Sequence, residues 1–403
     1  MVLPILRGGH MEQFLHGVEV VEVLDGARPI RTVRTGVNFV VGTAPNANPD
    51  VFPENVPVLV AGSRSKAAEL DTVGTKLGTL PRALDGILDQ VGAVTIVQRV
   101  PEGADETETL ANIIGGVEAG SGRHVGLYGA LAAKSVVGLT PKIFSAPGFT
   151  HQRPADAANP VVAEALGILD RLRAIMVIDG ASTTDAAAVL AAGDWGSRRL
   201  YMVDPRVKVG ASGAELEWAS ARVAGLIARM DADQGFWWSP SNQEVRGIVG
   251  TERAVDFRMG DTASAANLLN EQNVATIIRE DGFRLWGNRT LSSDPRFAFL
   301  SVVRTFDAVA DSVQAAHLWA VDRNITRTYL EDVAEGVNAY LRRLTLLEAI
   351  HGGECFPDPD LNSAESIAAG RAWFNYAISP TTPAERITFR ASVTDEFVEE
   401  VLV

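Results

Sequence analysis

Gly282-Phe-Arg-Leu-Trp-Gly-Asn-Arg-Thr290 gathers two aromatics, two arginines and two glycines into one short stretch. An apolar run stands on each side, Val274-Ala-Thr-Ile-Ile278 before it and Phe297-Ala-Phe-Leu-Ser-Val-Val303 after it. Both runs are short and rich in β-branched or aromatic residues, which predicts three strands with short connections. On that reading Arg284 and Arg289 project beside Phe283 and Trp286, where a guanidinium stacks on a ring or forks onto a carboxylate. Side-chain chemistry alone requires no more than one polar edge of a folded sheet.

Upstream, strand and helix signals alternate. Val94–Val97 reads as a strand, followed by a loop rich in glycine and acid, a helix over Val125–Val137 and a strand over Lys142–Ser145. A helix over Pro160–Leu172 carries proline in its first turn, where the missing N–H costs nothing. A strand over Ala174–Ile178, a helix over Thr183–Ala192 opened by Ser182 or Thr183, a strand over Arg199–Val203 and a helix over Ala219–Met230 complete the series. Such alternation predicts a mainly parallel sheet covered by helices on both faces. Val37–Val41 leads into its core. Gly235-Phe-Trp-Trp-Ser-Pro-Ser-Asn242 reads as an aromatic seal between domains or toward a neighbour. Downstream, a helix over Ala263–Asn273 precedes the opening stretch. Two long amphipathic helices follow it, about Thr305–Val321 and about Thr326–Leu347. The predicted class is thus α/β joined to α+β.

This architecture raises an enzyme hypothesis, but the motifs do not support it. Gly115-Gly-Val-Glu-Ala-Gly-Ser-Gly122 lacks both Gly-x-Gly-x-x-Gly and the lysine of a P-loop. Asp179, Asp204 and His151 stand at expected strand ends without the spacing of a nucleophile, base and orienting acid. The six histidines form no pair at metal-ligand spacing. No catalytic residue, metal or cofactor is predicted. A formal charge of −14 argues against nucleic-acid and anionic-membrane partners, which select basic faces. The single cysteine, Cys355, forms no internal disulfide and fits a reducing compartment. No run reaches the ~18 apolar residues of a membrane span, and no secretory signal is expected.

Both ends carry strand signals. Val18, Val20, Val21 and Val23 alternate imperfectly with Glu19 and Glu22, and an extended arm of about 20 residues reaches roughly 66 Å. Ile387, Phe389, Ala391 and Val393 alternate strictly with Thr388, Arg390, Ser392 and Thr394, one strand with a single apolar face. Either segment pairs within its own fold or leaves it. The residues alone keep both readings open.

The opening stretch closely resembles the core of contractile-tail sheath proteins from myovirus phages and R-type pyocins. Matching pieces are His16-Gly-Val18, Thr43-Ala-Pro45, Pro57-Val-Leu59, Ala146-Pro-Gly148, Gly235–Asn242, Leu268-Leu-Asn270, Asp358-Pro-Asp-Leu-Asn362 and Pro383-Ala-Glu-Arg386, in family order. The resemblance implies a structural subunit polymerising as stacked hexameric rings around an inner tail tube, with baseplate and tail terminator proteins at the ends. It implies a division into an N-terminal arm (1–36), an outer α/β domain (37–240), an inner tube-facing domain (241–385) and a C-terminal arm (386–403). The arms, through Val18, Val20 and Val23 and through Ile387, Phe389, Ala391 and Val393, would add strands to neighbours' sheets. Ile277, Arg284, Trp286, Leu300 and Val302 would lie in the receiving sheet, and Arg323 and Arg327 would meet the tube. The particle would be a phage tail or pyocin-like body assembled in the host cytoplasm. The alternatives are a Rossmann-like enzyme with an unrecognised site, and a non-contractile shell or tube component.

Overall fold

The computed structural model describes residues 29–395. The expected donor strand at Val18, Val20 and Val23 lies outside the described residues. The body is an eight-stranded sheet of β1 (Val37–Thr43), β2 (Pro57–Ala61), β3 (Val94–Val100), β4 (Ile143–Ser145), β5 (Ile175–Asp179), β6 (Leu200–Val203), β7 (Val274–Arg279) and β8 (Phe283–Trp286). Their order across the sheet is β8-β7-β6-β5-β4-β1-β3-β2. The six strands from β7 to β3 run parallel, and an antiparallel strand closes each side. All of β1 and β5 is buried, as expected of parallel strands covered on both faces, which therefore read as continuous apolar runs.

The covering helices, in chain order, are α1 (Leu80–Gln90), α2 (Glu106–Ile114), α3 (Gly129–Val137), α4 (Pro160–Leu172), α5 (Asp185–Ala192), α6 (Ala219–Asp233) and α7 (Ala265–Glu271). Leu80, Leu84 and Ile87 of α1 join Val223 and Leu226 of α6 over one face of the sheet. Ile113, Ala130, Val162, Leu169 and Ala188 of α2 to α5 cover the other. Gly225 lets α1 and α6 touch, since a Cβ there would stand 2.8 Å from the Cα of Ile87. Helix starts follow local chemistry. Asn159 caps α4 by accepting from Val161 and Val162 N–H. The segment expected as a loop after β3 contains α2, opened by a capping box: Asp105 accepts from Glu108 N–H while Glu108 accepts from Ala104 N–H. Thr184 rather than Ser182 or Thr183 caps α5, because Ser182, at φ 62°, turns its N–H onto Asp204.

Beyond the sheet lie α8 (Leu300–Ala316), α9 (Arg327–Leu346), β9 (Ile350–Pro357) and β10 (Phe374–Pro380). These build a third core of Val309, Val337, Tyr340, Leu341 and Ile350, into which Phe236 inserts. The aromatic stretch thus seals the body to the C-terminal elements, with Phe236 and Trp237 edge to face at 5.0 Å.

One expected strand is overturned. Leu300 and Val302 sit in α8, after a helical turn over Pro295–Phe297. Leu300 and Val303 pack on the sheet core, whereas Ala308 and Val309 pack on the third core. A helix buried from two sides shows no single stripe, so a short window at its start reads as a strand.

The polar side chains of α8 bind it to the body. Arg304 forks onto Asp231 at 2.5 and 2.6 Å, with both side chains 6% exposed. Asp307 pairs with Arg199, and Asp311 takes Lys142 at 2.5 Å and Arg173 at 2.9 Å. Stripping one partner from a buried pair strands the other charge at a cost of about 3–5 kcal/mol, whereas replacing both by apolar groups is often neutral. Urea unfolding should therefore show Arg304→Ala losing stability in that range, and Arg304→Met with Asp231→Leu recovering most of it.

Candidate assembly interface

β9 and β10 form a two-stranded antiparallel sheet, with Cys355 opposite Tyr376 and Glu354 opposite Ala377. A lone hairpin is marginal in water and needs a packed face. Phe374, Tyr376 and Ile378 supply it by packing on the third core, while Asn375, Ala377 and Ser379 face outward. Asn338 of α9 lies against β9, its amide donating to Cys355 C=O at 2.8 Å and accepting from Cys355 N–H at 2.7 Å. Burial pushes the Cys355 thiol up to about 11, so it stays neutral. This hairpin was missed in the sequence, where Gly352-Gly353 and Pro357 interrupt the strand signal; the alternation of Phe374, Tyr376 and Ile378 was the available clue.

The chain then extends over residues 381–395 without regular secondary structure. Thr381 N–H donates to Ala349 C=O, and Arg289 grips Glu385 through two bonds of 2.7 and 2.6 Å. Beyond that grip Ile387 is 69%, Phe389 90% and Val393 100% exposed, and Ala391 is exposed with them. The apolar face seen in the alternation has no cover among the described residues.

Ile277 lies in β7, and Arg284 and Trp286 lie in β8. These strands belong to the eight-stranded sheet, not to a separate C-terminal sheet as expected, because β7 continues the parallel ladder beside β6. The outer edge of β8 is occupied: Asn242 N–H donates to Leu285 C=O, Leu285 N–H to Gln243 C=O and Val245 N–H to Phe283 C=O. Arg284 binds the carbonyls of Glu280 and Asn242, whereas Arg289 stacks over Phe299 and forks onto Glu385, the chemistry expected of it. With Leu300 and Val302 helical, none of the five expected acceptor residues stands at a free strand edge.

Arg323 sits in the connection from α8 to α9, and Arg327 opens α9. The Arg323 guanidinium lies 4.9 Å from the Trp319 ring centre, and Arg327 reaches Glu331 one turn along. A cleft of about 440 Å³ opens between Trp319, Arg323, Tyr329 and Asp332. Leu318 and Val321 are exposed beside it.

At the carboxyl ends of the parallel strands, the expected crevice is filled. Asp179 accepts from Ser220 N–H at 2.9 Å and Ser220 Oγ–H at 2.6 Å, and Thr150 leans on it. Asp204 takes Ser182 N–H and the Arg253 guanidinium. His151 stacks on Trp218 at 3.9 Å, and burial beside Arg206 lowers it to about 4. The carboxylates here are consumed as internal braces. Among the described residues no group of His, Cys, Asp and Glu is arranged to hold a metal, and no helix is long and apolar enough to cross a membrane.

An α/β body carrying a two-stranded hairpin and an uncovered apolar arm defines a structural subunit made for assembly with its own kind. Residues 126–291 match the phage tail sheath protein central domain, and residues 292–394 match the phage tail sheath C-terminal domain. A putative prophage major tail sheath protein of Pseudomonas aeruginosa (strain UCBPP-PA14) is 44% identical, over 96% of this chain and 99% of the relative. The tail sheath protein of Escherichia phage P2 is 36% identical over 97% and 98%. Among solved structures, the helical sheath of the anti-feeding prophage in its contracted state gives a TM-score of 0.70 at 19% identity, covering 93% of this chain and 98% of that one. The sheath complex of the extracellular contractile injection system PVC, also contracted, gives 0.68 at 16% over 96% and 99%. This chain belongs to the phage tail sheath protein family, whose members are structural proteins.

Burial raises the Asp179 carboxyl to about 7, while an unfolded aspartate titrates near ~3.9. Between those values the folded chain holds the extra proton, so the Asp179 contribution to stability falls as pH rises from about 4 to about 7, while His151, lowered from 6.5 to about 4, contributes in the opposite sense over most of the same window. Asp179→Asn should therefore raise the urea midpoint at pH 7.5 relative to that at pH 5, compared with the parent chain. Burial also raises Asp204, so part of the falling contribution should remain.

Proposed function

We propose that this chain is the structural subunit of a contractile tail sheath, polymerising as hexameric rings stacked helically around an inner tube and shortening to drive that tube through a target envelope. The observation that carries the reading is the Ile387–Val393 segment, an extended stretch whose apolar residues alternate and whose three large apolar side chains are 69% to 100% exposed. Its apolar face and its backbone are both satisfied by adding to a sheet on another copy. At about 1 kcal/mol net per hydrogen bond, one such strand contributes several kcal/mol per joint. The extended arm leaves the bodies it joins free to rotate. Heterologous contacts that do not close on themselves build helical lattices.

In this arrangement the α/β body faces outward and rearranges its lateral contacts. The α8–α9 turn faces the tube, and Arg323 and Arg327 offer cations to an acidic tube surface. Baseplate and terminator proteins bound the lattice at its ends, in a phage tail or pyocin-like particle assembled in the host cytoplasm. No step calls for catalysis or a cofactor.

Two experiments test this reading. Removal of residues 386–403 should leave a folded, soluble subunit that forms no tubes by negative-stain electron microscopy; normal striated cylinders from the truncated chain would overturn it. Arg323→Glu with Arg327→Glu should weaken co-sedimentation with the inner tube protein while sheath cylinders still form. Undiminished co-sedimentation removes these arginines from the tube contact.

A further inference from the structure

Between the hairpin and the exposed Ile387–Val393 segment, hydrogen bonds to described residues tie the chain to its own subunit at two points. The first is Thr381, whose N–H and hydroxyl both donate to Ala349 C=O, at 3.3 and 3.2 Å. The second is Glu385, whose carboxylate takes Arg289 Nε–H at 2.7 Å and Nη2–H at 2.6 Å. Thr382, Pro383 and Ala384 between the ties, and residues 386–393 beyond them, make no hydrogen bond to a described residue.

The two ties differ in kind. Thr381 follows the last residue of β10 and moves with the hairpin. Arg289 is fixed to the body: on either side of it Leu300 N–H donates to Asn288 C=O and Thr290 N–H donates to Ala298 C=O. Its guanidinium lies 5.5 Å from the Phe299 ring centre. A rigidly placed cation thus meets a carboxylate on a chain that is otherwise loose. The link between the ties is also stiff, because Pro383 fixes its own φ and holds Thr382 extended. Closing the ion pair therefore orders few residues.

The consequence is geometric. Four residues of chain lead from Thr381 to Glu385, and at about 3.5 Å per residue a free link lets Glu385 roam over a radius of roughly 14 Å. With the pair closed, the pivot of the arm moves from Thr381 to Glu385, and the apolar segment leaves from one point. A tethered strand with a fixed origin has a higher effective concentration at a site within its reach. Both side chains of the pair are 39% exposed, so salt screens it and it opens reversibly.

We infer that Arg289 is the positioning residue of the C-terminal arm: it clamps Glu385 so that the Ile387–Val393 segment is aimed from a fixed point on the body before it meets another copy, and release of the clamp returns the pivot to Thr381. The inference rests on the strand-donation reading above and adds a control to it.

Nitroxide labels on Lys134→Cys in α3 and Thr388→Cys in the arm, in the unpolymerised full chain, test the aim by double electron–electron resonance; Cys355 is buried and stays unlabelled. The parent chain should give a narrow distance distribution that broadens in about 0.5 M salt, and Glu385→Gln should give the broad one at low salt too. Its urea midpoint should not move, since Glu385 bonds to no other described side chain. The critical concentration for tubes in negative stain should rise about fivefold in Glu385→Gln and in Arg289→Gln, the weight of one half-exposed ion pair. It should return toward the parent value in Arg289→Glu with Glu385→Arg. Equal distributions in the parent and Glu385→Gln, or single variants that polymerise like the parent, overturn the clamp. A charge swap no better than the single variants overturns it as well, leaving Arg289 a packing role on Phe299. Normal cylinders from the chain lacking residues 386–403 overturn strand donation itself, an outcome separate from all of these.

Discussion

Backbone hydrogen bonding at strand edges is the constraint on which this structure depends. A sheet is stable because each peptide unit finds a partner, and every sheet that does not close into a barrel leaves two rows of them unfinished. The eight-stranded body handles its own rows by folding residues 242–245 along β8 and by setting a proline and a lysine on β2. Among the described residues the C-terminal hairpin closes its β9 edge through Asn338 and carries no such plug on β10.

The body is also braced from within. α8 lies between the sheet core and the third core and contributes apolar residues to both. Its arginine and two aspartates interlock with Asp231, Arg199, Lys142 and Arg173. Charges so placed are costly to separate, because each loses its partner before it regains water. The body and the helices that carry the hairpin are therefore braced as one unit.

The fold class was legible because strand and helix signals alternate over residues 94 to 230, each marked by local chemistry such as Asn159 before Pro160. Where local chemistry conflicted with context, sequence reasoning failed in specific ways. The start of α8 has no polar face to give it a period. β9 contains two glycines and a proline, so it carries almost no strand propensity and exists because α9 supports it. α2 was missed although its Asp105–Glu108 capping box was available. The alternating apolar face of Ile387–Val393 was legible, since alternation is a local property. Which strand edges are closed was not, because an edge is open or closed by residues far along the chain: Asn338 plugs Cys355, and residues 242–245 cover a strand some forty positions later. Of the arginines of the opening stretch, Arg284 binds loop carbonyls and Arg289 holds the base of the arm through Glu385.

A joint made from one donor and one acceptor has a direction. Each copy that joins such a chain of copies consumes an edge and presents another, so the two ends of any assembly are chemically different: one displays open acceptor edges, the other undonated arms. A protein that starts the structure must offer whichever half the first ring lacks, and a protein that stops it must satisfy the other half. In the proposed strand exchange the donated arm thus sets polarity as well as adhesion, and it lets a cylinder of identical subunits have a top and a bottom.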